Sequence, residues 1–173
     1  MPELELPDRH YLLGAVGWLE LGNPTEAALE LERISPPNRQ FPDVLEVHWE
    51  ICAAMKDWQH GLHYADVLVE RHPDRSSGWL HRAYALRRVR EGGLGRAWDA
   101  LRPAYDKFPK VPIIAYNLAC YAAQMNRLDE AWEWLEKALQ AGDPNRIREM
   151  ALADSDLEPI WERVRVLPIA DKP

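Results

Sequence analysis

The sequence predicts an all-α chain of stacked helix pairs, and three observations carry that prediction. In the stretch from Tyr116 to Leu139, Leu118, Ala119, Ala122 and Met125 recur at three- and four-residue spacing. After a break at Asn126 the same periodicity resumes through Leu128, Ala131, Leu135 and Ala138, so two amphipathic helices are joined by a tight turn. Small residues at Ala27, Gly61, Ala97 and Ala131 are then separated by 34, 36 and 34 residues, where the two helices of each pair cross. Leu31, Ala65, Leu101 and Leu135 follow four places on, and Ile34, Leu68, Ala104 and Ala138 three beyond those. A single helix cannot hide such a stripe from water, but a stack of pairs can.

Taken in order, residues 1–7 are expected to be a short arm lying against the first helix. Asp8 is a fair N-cap for a helix running to about Leu21, and Gly22-Asn23 ends it with Pro24 opening the next. The helix from Thr25 to Ile34 should stop at Ser35-Pro36-Pro37, followed by a stiff link of polyproline character as far as Pro42. A second pair is expected at about Pro42 to Lys56 and Trp58 to His72. Its Trp49 must open the pair locally or exchange volume with Gly61 and Ala65. The third pair ends at Phe108, with Pro103 kinking its second helix or shifting its start, and two extra residues near Glu91-Gly92-Gly93 lengthen its first helix or widen its turn.

The fourth pair carries Glu133 and Lys137 on a solvated side and closes at Gly142, after which Asp143-Pro144 starts two shorter helices, to Ala153 and from Asp156 to Val166. Ile147, Met150, Leu157, Ile160 and Trp161 make these a cap over the last pair. Trp132 and Trp134 lie two apart, so one ring packs inward and the other hints at a second interaction surface.

A period of 34 residues in helix-turn-helix units resembles the tetratricopeptide repeat, over about residues 8 to 144. The family pattern falls on Tyr11, Gly14-Ala15, Trp18, Ala27 and Leu31, then on Leu45, His48-Trp49, Cys52, Gly61, Ala65 and Pro73. It recurs on Trp79, Arg82-Ala83, Leu86, Ala97, Leu101 and Pro109, and on Ala115, Leu118-Ala119, Ala122, Ala131, Leu135 and Asp143, with Pro144 one place late. The resemblance implies a right-handed superhelix of four helix pairs with C-terminal capping helices. On this reading the chain is one domain: arm 1–7, repeats 8–144, cap 145–166 and tail 167–173.

It also implies a concave groove lined by the first helices of successive pairs. Carried over residue by residue, the groove positions are Leu12 and Val16, Glu46 and Glu50, Leu80 and Tyr84, and Tyr116 and Cys120, with Arg87 and Asn117 bordering them. A protein or peptide partner with apolar anchors and a basic residue would fit. The groove could instead be filled by the chain's own arm. Members that clamp a chaperone's terminal carboxylate use Lys and Asn, whereas the matching positions here are Leu12, Val16, Val47, Ser77 and His81, so that use is not implied.

Composition narrows the function further. At 173 residues, 47% hydrophobic and with eight Trp, the chain can bury a continuous core. A net charge of −7 argues against nucleic acid, because phosphate binding needs accumulated positive charge. Two distant cysteines, Cys52 and Cys120, suit a reducing compartment, and neither a membrane span nor a secretory leader is read, which together point to the cytoplasm.

No phosphate loop, nucleophile elbow or cofactor motif is found, so no enzyme is expected. His60 and His63, with His48 and Cys52 nearby, read as outward-facing histidines rather than metal ligands. Asp154, Ser155 and Asp156 could attract calcium, but helix capping accounts for them. The expected function is a non-catalytic protein-interaction module; the alternative is a structural repeat protein that pairs with itself and holds no peptide.

Overall fold

The computed structural model describes residues 4–167, and among these are ten α-helices, two 3-10 turns and no strand. The helices are α1 (Asp8–Glu20), α2 (Pro24–Glu32), α3 (Pro42–Ala54), α4 (Trp58–Arg71), α5 (Ser76–Leu86), α6 (Leu94–Lys107), α7 (Pro112–Gln124), α8 (Leu128–Ala141), α9 (Pro144–Ala153) and α10 (Trp161–Arg165). They follow one another in sequential pairs. Two compact units divide the chain, Met1–Val89 with α1 to α5 and Arg90–Pro173 with α6 to α10.

Local chemistry sets the helix starts. Pro24, Pro42, Pro112 and Pro144 occupy first positions, where a missing N–H costs nothing. The side chains of Asn23 and Asp57 accept the backbone N–H groups of Glu26 and His60, and Asp143 accepts those of Asn145 and Arg146. The turns keep the repeat in the backbone itself. Gly22, Lys56 and Asn126, related by the same register, all take positive φ, at 74°, 59° and 60°.

In the first unit, every crossing residue named from the spacing is buried: Ala27, Leu31 and Ile34, then Gly61, Ala65 and Leu68. Leu4 joins the core formed by Ala15, Ala27, Leu31, Val44 and Ile51, so the arm does lie on the first pair at that residue. Trp49 exchanges volume with Gly61 as expected. Its ring passes over the glycine, where a β-carbon would stand 3.6 Å from Trp49 Nε1. Gly78 matters more, since a β-carbon there would lie 2.9 Å from Leu68 Cβ and 3.3 Å from the Val69 backbone nitrogen. The close approach of α4 and α5 requires a residue without a side chain.

Two local expectations are corrected. Asp8 does not cap its own helix: it is buried, and its carboxylate accepts bonds from the Ser35 N–H (3.1 Å), the Ser35 hydroxyl and the Asn38 amide (2.8 Å). Those bonds curl the link before Pro42 into a 3-10 turn, Pro36–Asn38, instead of an extended polyproline segment. Three donors on one carboxylate, the Ser35 hydroxyl foremost, hold Asp8 below the usual carboxylate range.

In the second unit Ala97, Leu101 and Ala104 of α6 and Ala131, Leu135 and Ala138 of α8 are fully buried, together with Leu118 and Ala119 of α7. Pro103 is accommodated inside α6 without moving its start, and the extra residues near Gly92-Gly93 enter the turn before α6 rather than lengthening α5. Of the two adjacent tryptophans, Trp134 packs inward against Trp98 and Tyr105, and Trp132 is half-buried under Arg163. The last segment comprises α9, a 3-10 turn at Ser155–Ile160 and α10, not two plain helices. Leu157, Ile160 and Val164 are buried there, and Trp161 Nε1 donates to the Ala151 carbonyl at 2.8 Å.

Candidate functional site

In the first unit the three first helices each contribute a chemically different strip. α1 packs on α3, and α3 on α5. On α1, Leu12 and Val16 stand one turn apart and are half-buried. On α3, Asp43, Glu46 and Glu50 share a face at three- and four-residue spacing. On α5 and its continuation, Ser77, Leu80, Tyr84 and Arg87 do the same. A cavity of about 650 Å³ lies at the start of α3, lined by Arg9, Leu12, Leu13, Phe41, Asp43 and Arg75 among others; of the groove positions expected in this unit it takes in Leu12 and not Val16, Glu46, Glu50, Leu80 or Tyr84.

The acidic strip is unevenly neutralised. Arg75 bonds both Asp43 and Glu46, the latter at 3.2 Å, and the Ser77 hydroxyl donates to Glu46. These contacts tie α3 to α5 and use up the charge of the first two acids. Glu50, one turn further along, is exposed and meets no cation within ion-pair distance among the described residues. Partial burial, and then the neighbouring Glu46 charge, push its carboxyl above the usual range. A negative group held in that condition is stabilised by any cation delivered to it.

Beside Glu50 the α5 strip is aromatic. Trp49 stacks on His81 at 3.8 Å between ring centres and meets Tyr84 edge-on at 5.8 Å. Tyr84 also touches Trp58 and lies 3.4 Å beneath the Arg88 guanidinium. It nevertheless keeps 39% of its surface open. Burial depresses His81 to about 4, and burial with the Arg39 charge does the same to His48, so both imidazoles are neutral near pH 7.

In the second unit the equivalent strip of α7 is covered. Tyr116 and Cys120 are buried, with the Tyr116 hydroxyl donating to Asp154 Oδ2 at 3.1 Å and Cys120 Sγ approaching the same oxygen at 3.5 Å. Gln124 donates to the Asp156 carbonyl at 3.0 Å, and Asn117 bonds back to Ile113. The Ser155–Ile160 turn therefore packs onto the face where a ligand was expected. Burial, with Cys120 and Asp154 adding to it, pushes the Tyr116 phenol up, so it stays a donor.

Nothing in the sequence flagged this latch, although Tyr116, Cys120 and Gln124 follow each other at four-residue intervals and Asp154 had only a capping role to explain it. That capping role is present as well, since Asp154 Oδ1 accepts the Asp156 N–H at 3.0 Å.

Metal chemistry gains little from these groups. Cys120, Asp154 and Asp156 bring ligand atoms within 4.8 Å of one another, but a thiol is a poor partner for calcium and Asp154 already receives donor hydrogens from Tyr116 and Cys120. The histidines read as surface residues have local partners: His60 bonds Asp57 at 2.7 Å, and His48 stacks on Tyr64. Burial pushes the Cys52 thiol up to about 11, leaving it unreactive. Among the described residues, no helix is long and apolar enough to cross a membrane.

No protein-family model matches the chain, and no curated protein does. Solved structures do. One is TTC0263, a thermophilic TPR protein of Thermus thermophilus, with a TM-score of 0.72 and 23% identity over 90% of this chain and 82% of that one. Another is the MamA RS-1 ArsTM double mutant, with a TM-score of 0.67 and 16% identity over 94% of this chain and 93% of that one. At these identities the likeness establishes the fold: sequential helix pairs packed as in tetratricopeptide-repeat proteins.

Proposed function

We propose that this tetratricopeptide-like chain is a non-catalytic adaptor whose first unit receives a segment of a protein partner, and that the segment presents a Lys or Arg to Glu50 between apolar anchors. The fold generally mediates protein–protein interaction. The observation that carries the finer reading is the setting of Glu50, an exposed acid one turn from Glu46 with no cation within ion-pair distance among the described residues; its carboxyl is accordingly pushed above the usual range. Leu12 and Val16 on one side, and Leu80 and Tyr84 on the other, supply apolar contact at the spacing of a short segment laid across the helices.

Tyr116, Asn117 and Cys120 enter this proposal only if the 154–160 turn leaves α7, so the first unit is its centre. Two buried cysteines, neither of them in a disulfide, fit a reducing, cytoplasmic setting.

Capture from lysate by immobilised protein tests the reading, with Glu50→Lys and Leu80→Glu as the paired variants. Both positions are at least partly open, so both variants should fold with unchanged helical circular dichroism. Loss of the same captured proteins in both variants is the expected result. Equal capture by wild type and by Glu50→Lys would refute the proposed charge contact.

A further inference from the structure

The cavity at the start of α3 has a chemistry of its own. Leu4 of the arm, Leu12 and Leu13 of α1, and Phe41 and Pro42 at the head of α3 give it an apolar wall. Leu12 and Leu13 stand three and four places after Arg9, so one face of α1 supplies both wall and cation. Its volume of about 650 Å³ falls within the range of roughly 300 to 1,000 Å³ over which proteins take small organic ligands.

Most of the charged and polar groups around it are already engaged. Arg75 is bound to Asp43 and Glu46, and His72 Nε2 faces the Gln40 carbonyl at 3.4 Å. Arg9 is different: it is exposed, and among the described residues its guanidinium has neither a hydrogen bond nor an ion pair. The side-chain amide of Gln40 is likewise open. An apolar wall beside one uncommitted guanidinium suits a single negative charge carried on an apolar body. A polyanion would be driven against Asp43, and a cation would have to displace Arg75 from its acids.

We infer that this cavity binds a medium-chain fatty acid, its carboxylate on Arg9 and its chain along Leu12, Leu13 and Phe41. Leu12 is the one residue it shares with the groove positions of the first unit, so the failure of either reading leaves the other standing.

Isothermal titration of the whole chain with octanoate, 1-octanol and octylamine tests the assignment. Wild type should take up one octanoate, about fivefold more tightly than octanol, as expected for an exposed charge pair, with octylamine weaker than either. Arg9→Gln should cancel that preference and leave octanol binding as it was, and Arg9→Lys should keep it. Leu13→Asn, at a residue 60% exposed, should weaken all three probes with an unchanged melting curve. Each methylene removed, to heptanoate and then hexanoate, should cost about threefold in affinity. Equal binding of octanoate and octanol by wild type would overturn the inference, as would a preference for octanoate that survives Arg9→Gln. So would the lack of saturable uptake, the result expected if the chain's own first residues fill the cavity.

Discussion

Two glycines in one unit should respond to alanine with opposite signs. Gly61 sits inside α4, and a β-carbon there would find Cys52 Cβ at 3.5 Å and Trp49 ring atoms at 3.6 and 3.7 Å, ordinary contact distances. Gly61→Ala thus keeps most of the gain expected for alanine over glycine within a helix, about 0.5 to 1 kcal/mol of added stability. Gly78 lies in the first turn of α5, where that gain is smaller. Its β-carbon would be driven to 2.9 Å from Leu68 Cβ and 3.3 Å from a backbone nitrogen, neither of which can swing aside. Overpacking of this kind costs about 1 to 3 kcal/mol, so Gly78→Ala should lose roughly 1 to 2 kcal/mol net. Urea denaturation followed by tryptophan fluorescence, with the slope unchanged, reads both. If Gly78→Ala proves as stable as Gly61→Ala, the helices α4 and α5 do not approach as described and the stacking argument for the first unit fails.

Other consequences follow from the cap and from titration. Leu157→Ala should cost about 2 to 5 kcal/mol, because its side chain, part of the cap's 3-10 turn, is fully buried; a loss below about 1 kcal/mol would mean the turn is not packed on α7. Tyr116→Phe removes one bond to Asp154 while Asp156 N–H still donates to that carboxylate, so about 1 kcal/mol should be lost, measurable by the same denaturation. Asp8 has a folded pKa below its unfolded value, so its stabilisation is complete above the unfolded value and disappears as pH falls through the folded one; Asp8→Asn should flatten the acid limb of a melting-temperature profile. His81 binds its proton more tightly unfolded than folded, where burial holds it to about 4. Stability should therefore fall as pH drops from about 6.5, with His48 adding to the slope in the same way, and His81→Phe, which keeps the stack on Trp49, should remove about half of it.

How much of this was legible in the sequence follows from which interactions repeat. Ala27, Gly61, Ala97 and Ala131 announced the helix crossings because each crossing imposes the same steric demand; of the positive-φ turns, Gly22 and Asn126 were marked by residue type, whereas Lys56 was not, since lysine carries no preference for that backbone. Contacts made once leave no period. Asp8 reaching Ser35 and Asn38, and Arg75 reaching Asp43 and Glu46, depend on distances of some thirty residues that no local pattern encodes. The groove positions proposed on α3 and α5 were carried over from the family register. Those on α7 were as well, but register could not tell that Asp154 would already be bonded to Tyr116 and Cys120. Composition suggested a cap, and only the fold says which face the cap covers.

The adaptor reading is tested most directly by selecting from a library of displayed random peptides on the immobilised chain and sequencing what is retained. Enriched peptides should share a Lys or Arg with apolar residues near it, and the same library passed over Glu50→Lys should lose that basic position while other preferences weaken less. Enrichment without a basic residue, or an identical set on both proteins, would contradict the claim that an uncompensated carboxylate in the first unit selects the partner.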